Sequence, residues 1–244
     1  LADAGWLTRL LMRPLMHYMR LTDSVSASRV DHFIANSKFI ARRIDKCYRR
    51  QAEVIHPPVE VDDFEARAEK QDYYLLLGQL TAYKKADLVM DAFLRSGKRL
   101  VIIGEGEQLA AMRARATERV VVLGRQPFSA LKEHLANAKA LVFPGVEDFG
   151  IVPLEAMASG TPVIAYAKGG ALETVIESDD PSAATGLFFH EQSIDAINEA
   201  VARFESLSEP ISAEACRARA EQFAPDRFRE ELSSFIQAKL RREA

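Results

Sequence analysis

Phe143-Pro-Gly-Val-Glu147-Asp-Phe149-Gly150-Ile151-Val-Pro153-Leu-Glu155-Ala-Met-Ala-Ser-Gly160 lies between two apolar runs, Ala140-Leu-Val-Phe143 and Thr161-Pro-Val-Ile-Ala165. The first run reads as a buried strand that Pro144-Gly145 ends. Pro153 is tolerated only in the first turn of a helix, so the spacing predicts a helix starting near Ile151, with Gly160 suited to its carboxyl cap. Strand, loop, helix and strand in that order form the unit of a parallel α/β sheet. Glu147 then falls in a loop at the carboxyl end of a strand, where open α/β sheets take their ligands. Glu155 falls near the helix start, and both carboxylates can reach one crevice.

The same alternation extends outward. Strand candidates are Asp31–Ala35, Ala52–His56, Tyr73–Leu77, Arg99–Ile103, Val120–Leu123, Ala140–Phe143, Pro162–Ala165 and Gly186–Phe189, with helical stretches between them. This is the pattern of a Rossmann-like, doubly wound parallel sheet covered on both faces. Pro57-Pro58 and the acidic run after it read as a linker over residues 58–71, because prolines remove ladder donors and the run lacks periodicity. Beyond about residue 192 the pattern is helical, ending in an amphipathic stretch over 227–240.

At 244 residues with a net charge of -3, the chain has the composition of a globular protein rather than of a basic nucleic-acid binder. Charge is uneven: residues 1–50 hold ten Lys/Arg against four Asp/Glu, and the rest hold twenty-two against thirty-one. Cys47 and Cys216 are too few for a disulfide scaffold, which fits a reducing cytoplasm. Trp6–Arg20 is apolar, basic and aromatic but is interrupted by Arg9, Arg13 and Pro14. It suits either peripheral contact with an anionic membrane face or packing against further protein. A chain that begins at Leu1 without a signal-peptide layout is expected to be truncated.

Three further segments carry chemistry. In Leu77-Gly-Gln79-Leu-Thr-Ala-Tyr-Lys84-Lys85-Ala-Asp87, a strand end, a glycine and two lysines at a helix start suit a phosphate. Val101-Ile-Ile-Gly104-Glu-Gly106-Glu-Gln-Leu109 falls short of a dinucleotide fingerprint, because Leu109 occupies the third small position. In Ala167-Lys-Gly169-Gly170-Ala-Leu-Glu173, the glycines would let backbone N–H groups approach a substrate, while Glu173 either contacts it or caps a helix. The chain has no D-x-D triplet, Walker loop or Cys/His cluster, so the sequence requires no metal.

A bare pair of glutamates eight positions apart carries little weight, since helix starts favour acidic residues. The words around the pair, Glu147-Asp-Phe-Gly and Leu154-Glu-Ala-Met-Ala-Ser-Gly-Thr-Pro-Val163, resemble the Glu-x7-Glu motif of retaining GT-B glycosyltransferases of family 4 (group 1). That resemblance implies two facing Rossmann-like domains. Here it implies a remnant of the acceptor domain over 1–57, the linker over 58–71, the donor domain over 72–225, and over 226–244 a final helix that crosses back. By motif position, Lys84 neutralises the leaving diphosphate, Glu147 orients sugar hydroxyls and Glu155 binds the ribose, while backbone groups of Phe149, Gly150 and Ile151 face diphosphate or sugar. Gly104 faces the nucleotide, and Arg125 and Gln126 line the base pocket.

Gln79 stands where the family has an arginine, so a bidentate cation is absent. Either Lys85 or another arginine compensates, or the donor binds weakly. The implied reaction moves a hexose from a GDP- or UDP-sugar, which is substrate rather than cofactor, to a glycan or lipid-linked acceptor held by the missing domain. The wording is closest to bacterial mannosyltransferases of polysaccharide biosynthesis, which points to GDP-mannose and the inner membrane face. The expectation for this chain is binding without turnover; a non-catalytic nucleotide-sugar-binding module is the alternative.

Overall fold

The structure, a computed structural model, describes residues 5–243; the first four residues and Ala244, which the expected domain limits include, lie outside them. The chain divides into two compact units, Leu1–Ile55 and His56–Ala244.

The smaller unit opens with helix α1 (Trp6–Ala27), which runs through Pro14 although that residue cannot donate to the helical ladder. The sequence had marked Pro14 as an interruption. Strand β1 (Phe33–Ala35), helix α2 (Lys38–Tyr48) and strand β2 (Ala52–Val54) follow, with β1 and β2 parallel. Ser37 caps α2 by accepting from the Ile40 N–H at 3.1 Å.

The larger unit contains β3 (Tyr74–Leu77), α3 (Ala86–Ser96), β4 (Leu100–Ile103), α4 (Leu109–Ala114), β5 (Val120–Gly124), α5 (Phe128–Asn137), β6 (Leu141–Phe143), α6 (Ile151–Ala158), β7 (Val163–Tyr166), α7 (Ala171–Thr174), β8 (Gly186–Phe189), α8 (Ile194–Glu205), α9 (Ala213–Glu221) and α10 (Pro225–Glu243). Its six strands are parallel in the order β5-β4-β3-β6-β7-β8. The chain therefore winds outward from β3 in one direction and from β6 in the other, which makes the β3–β6 junction the switch point.

Alternation along the strands divides the core in two. Leu75, Leu141 and Val163 join one cluster with Leu135, Leu154 and Met157, while Tyr74, Leu76, Val142 and Ile164 join the other with Val89, Phe93 and Val201. Both faces are thus covered by helices, and each fully buried Leu or Phe contributes about 1.5–3 kcal/mol. Cys216 is part of this core; burial pushes its thiol up to about 12, leaving it unreactive.

The stretch 58–71 is not a loose linker. Val59, Val61 and Phe64 are buried in the larger unit, and the Arg217 guanidinium donates to the carbonyls of Val61 (2.9 Å) and Phe64 (2.8 Å). Three apolar side chains spaced among acidic ones give no period, yet they fill a gap against α9 and α6.

Helix α6 closes with the Gly160 N–H on the Met157 carbonyl at 2.9 Å and the Thr161 N–H on the Ala156 carbonyl at 2.8 Å, the Schellman pattern. Gly160 has φ 70°, and an added Cβ would lie 2.8 Å from the Cβ of Ala213. We predict that Gly160→Ala lowers the unfolding free energy by about 1–2 kcal/mol from the left-handed backbone alone. Denaturant titration at unchanged m-value checks this; a neutral effect would contradict it.

Candidate functional site

Because β3 and β6 are neighbours, the loops that leave their carboxyl ends lie side by side. After β3, the chain passes Gln79 and forms a 3-10 turn over Ala82–Lys84, and Lys85 then takes a left-handed conformation (φ 59°) ahead of α3. The lysines thus precede the helix instead of opening it. After β6, the acidic loop carries Glu147 to Gly150, which is left-handed (φ 89°) and starts α6. The Lys84 Nζ meets Glu147 Oε1 at 3.1 Å across the junction, with both side chains about three-quarters buried (25% and 23% exposed). The approach is not along a hydrogen-bond direction, so this oxygen has charge compensation without a directed donor.

A narrow pocket of about 40 Å³ lies beneath that pair, bounded by Gly78, Gln79, Pro144, Gly145 and Val152. It shares Leu77, Gly78 and Gln79 with a wider cleft of about 760 Å³, whose far side holds Gly104, Glu105, Arg125, Gln126 and Phe128. That volume suits a nucleotide-sized ligand. Gln79 is exposed where the two meet. Arg125 stands in solvent 3.8 Å from Glu105, and the Gln126 amide donates to the Leu123 carbonyl at 3.3 Å. The Gly104 N–H donates to the Gly124 carbonyl at 3.1 Å, which ties the two loops of the cleft together.

Glu155 lies a turn into α6 and lines neither pocket. Its carboxyl is held above the ordinary range by burial, with no cation among the described residues offsetting that cost. A half-buried carboxylate with no compensating cation among the described residues is one whose charge a hydrogen-bond donor would relieve. Helix α6 also starts without a side-chain cap or an acidic residue in its first turn, so its positive end is open to an anion.

The Phe149 ring is buried and stacks on His56, which leaves only its backbone to face a ligand. Ile151 is exposed at the helix start. The Gly170 N–H is already engaged within the chain. The Gly170 N–H donates to the Glu147 carbonyl at 2.9 Å, and added Cβ atoms would lie 2.5 Å from the Glu147 oxygen and 2.2 Å from Phe149 Cα. The glycines are small because the acidic loop rests on them. Sequence reasoning did not find His56, Glu105 or Phe128; only the place of Phe128 just after the β5 loop signalled any of these.

The fold and site define a Rossmann-like α/β protein with a charged crevice at its switch point. The family model for glycosyl transferases group 1 matches residues 60–223, and the chain belongs to that family. The O-antigen chain mannosyltransferase RfbU of Salmonella typhimurium is 29% identical over 163 residues, covering 60% of this chain and 45% of the relative. A GDP-mannose-dependent alpha-(1-6)-phosphatidylinositol monomannoside mannosyltransferase of Mycolicibacterium smegmatis is 30% identical over 224 residues, covering 79% and 57%. The chain thus spans about half the length of these relatives. Among solved structures, sucrose-phosphate synthase of Thermosynechococcus elongatus matches with a TM-score of 0.78 at 20% identity, covering 92% of this chain and 62% of that one. Anabaena HepE in complex with UDP-glucose matches at 0.76 and 18%, covering 90% and 67%. These two likenesses concern the fold, which is that of GT-B glycosyltransferases. Among the described residues no helix is long and apolar enough to cross a membrane.

The Glu155 environment sets a testable sign. Its folded pKa lies above the ordinary value of 4.5, so the ionised group costs stability at neutral pH, and the cost is relieved as pH falls through the raised pKa toward 4.5. Glu155→Gln is therefore expected to raise Tm at pH 7 and to flatten the acid limb of the stability profile. A lower Tm at pH 7 would show that the carboxylate is satisfied in the free protein.

Proposed function

We propose that the chain is the donor-binding part of a retaining family 4 hexosyltransferase that moves mannose from GDP-mannose to a glycan or lipid-linked acceptor. The observation that carries this reading is the meeting of Lys84 with Glu147 at the switch point, over a pocket that shares Gly78 and Gln79 with a nucleotide-sized cleft; Glu155, a turn along α6, adds a carboxyl that burial holds above its ordinary pKa. The relatives named for mannosyl transfer support the sugar, and the one named for GDP-mannose supports the base.

In this account the diphosphate displaces Glu147 from Lys84 and lies against the open start of α6, at Phe149–Ile151. Glu147, released, accepts hydrogen bonds from the sugar hydroxyls. Glu155 accepts from the ribose hydroxyls, a role for which a desolvated carboxylate is well placed. The base occupies the end of the cleft at Gly104, Arg125 and Gln126. Gln79 lies between base and diphosphate as a neutral donor, where an arginine would add a charged one. Positive charge for the leaving group comes from Lys84 and the helix terminus, so the reading calls for no metal. The whole enzyme would work at the cytoplasmic membrane face on an acceptor held by its other domain, and this chain alone would bind without turnover.

The second reading, a nucleotide-sugar-binding module without catalysis, is favoured by Gln79 alone. Calorimetric titration with GDP, UDP and ADP tests the site common to both. One of the three is expected to bind, and Lys84→Ala or Glu155→Ala to weaken it by about tenfold or more, the value of a hydrogen bond to a charged group. Gln79→Arg should tighten it by a similar factor. Binding of none of them, or binding indifferent to all three substitutions, would reject the donor site. Restoring an amino-terminal acceptor domain and assaying sugar transfer separates enzyme from module.

A further inference from the structure

We propose that His56 is a positioning residue for the acidic loop, setting the sugar end of the donor site without touching the ligand. The proposal rests on the donor-site reading above.

His56 is fixed before its ring does anything. Pro57 restricts the backbone of the residue ahead of it to extended conformations. The Arg227 Nη2 donates to the His56 carbonyl at 2.8 Å, and the Val59 N–H donates to the Phe223 carbonyl at 2.9 Å. The backbone around His56 is thereby clamped to the α9–α10 corner.

From that mount the imidazole stacks on Phe149, with centroids 5.2 Å apart and planes 19° apart. Phe223 completes the cluster, 5.6 Å from the imidazole and 5.7 Å from Phe149. The ring also places Nε2 3.9 Å from Glu173 Oε2. The segment that carries Glu173 is held in turn by Arg219, which donates to the carbonyls of Glu173 (2.5 Å) and Thr174 (2.9 Å).

Phe149 stands two residues after Glu147 and one before Gly150, so fixing its ring fixes both the carboxylate that faces the sugar and the start of α6. Gly169-Gly170 supports the same loop from below. The loop is gripped between two surfaces, and the His56 ring is the one that a side-chain substitution can remove without a backbone clash. A phenylalanine would serve plain packing in an aromatic cluster; an imidazole stacks equally flat and also turns a nitrogen toward a carboxylate. The base end of the cleft lies on the loops after β4 and β5, and Glu155 lies a turn farther along α6, so loosening the loop acts mainly on the sugar contact of Glu147.

The test compares affinities for GDP and GDP-mannose, or UDP and UDP-glucose if the base titration selects uracil, in the wild-type chain, His56→Ala and His56→Phe. His56→Ala is expected to weaken GDP-mannose by about tenfold while leaving GDP within about twofold, and His56→Phe, which keeps the stack, to restore the wild-type ratio. Parallel weakening of both ligands, or an unchanged ratio, overturns the proposal. If His56→Ala does not fold, the comparison of His56→Phe with His56→Leu replaces it: equal ratios in these two would overturn the role of the flat ring. Absence of any nucleotide binding by the wild-type chain instead removes the donor-site reading, and the proposal falls with it.

Discussion

The reversal of strand order between β3 and β6 is the constraint on which the site depends. Everywhere else in the sheet, successive crossovers lie on one side and their loops follow one another in step. At the reversal the crossovers diverge to opposite faces, and the loops leaving the two central strands are left facing each other over an open crevice. Lys84 comes from one of these loops and Glu147 from the other, separated by more than sixty residues of sequence and brought to 3.1 Å. Neither segment alone makes a site.

That ion pair is a means of holding charge ready rather than a source of stability. Two partly desolvated groups gain attraction from each other but lose hydration, and the balance for such pairs lies near zero. A ligand that offers Lys84 a phosphate and Glu147 a set of hydroxyls replaces both interactions at little net cost. Glu155 shows the opposite tendency: burial raises its pKa and no cation among the described residues answers it, so donors brought by a ligand would relieve a cost already present in the fold. The acidic loop between these groups would be free to drift if it were held only by its ends. Gly169 and Gly170 beneath it and the His56–Phe149 stack beside it remove that freedom.

Sheet and helix order were legible because their signals are local. All eight strands stand where alternating apolar runs and turn residues placed them, with ends differing by a residue or two where the ladder frays. Pro153 and Gly160 likewise marked the limits of α6. What escaped was set by contacts distant in sequence. Val59, Val61 and Phe64 look like loop residues among acids, and only the Arg217 guanidinium and the face of α9 make them core. Gly169-Gly170 carried a correct signal, close backbone approach, but what approaches is the Glu147 loop of the same chain. His56 had no signal at all, since nothing in a strand end before two prolines announces a ring ninety residues later.

The central claim is that Lys84, Glu147 and Glu155 divide one nucleotide sugar among them. A crystal structure of this chain with GDP-mannose tests it most directly. The account predicts Lys84 Nζ moved from Glu147 to a phosphate oxygen, Glu155 on the ribose hydroxyls and Glu147 on the sugar. A nucleotide bound elsewhere, or bound here with the Lys84–Glu147 pair intact and Glu155 untouched, would contradict it.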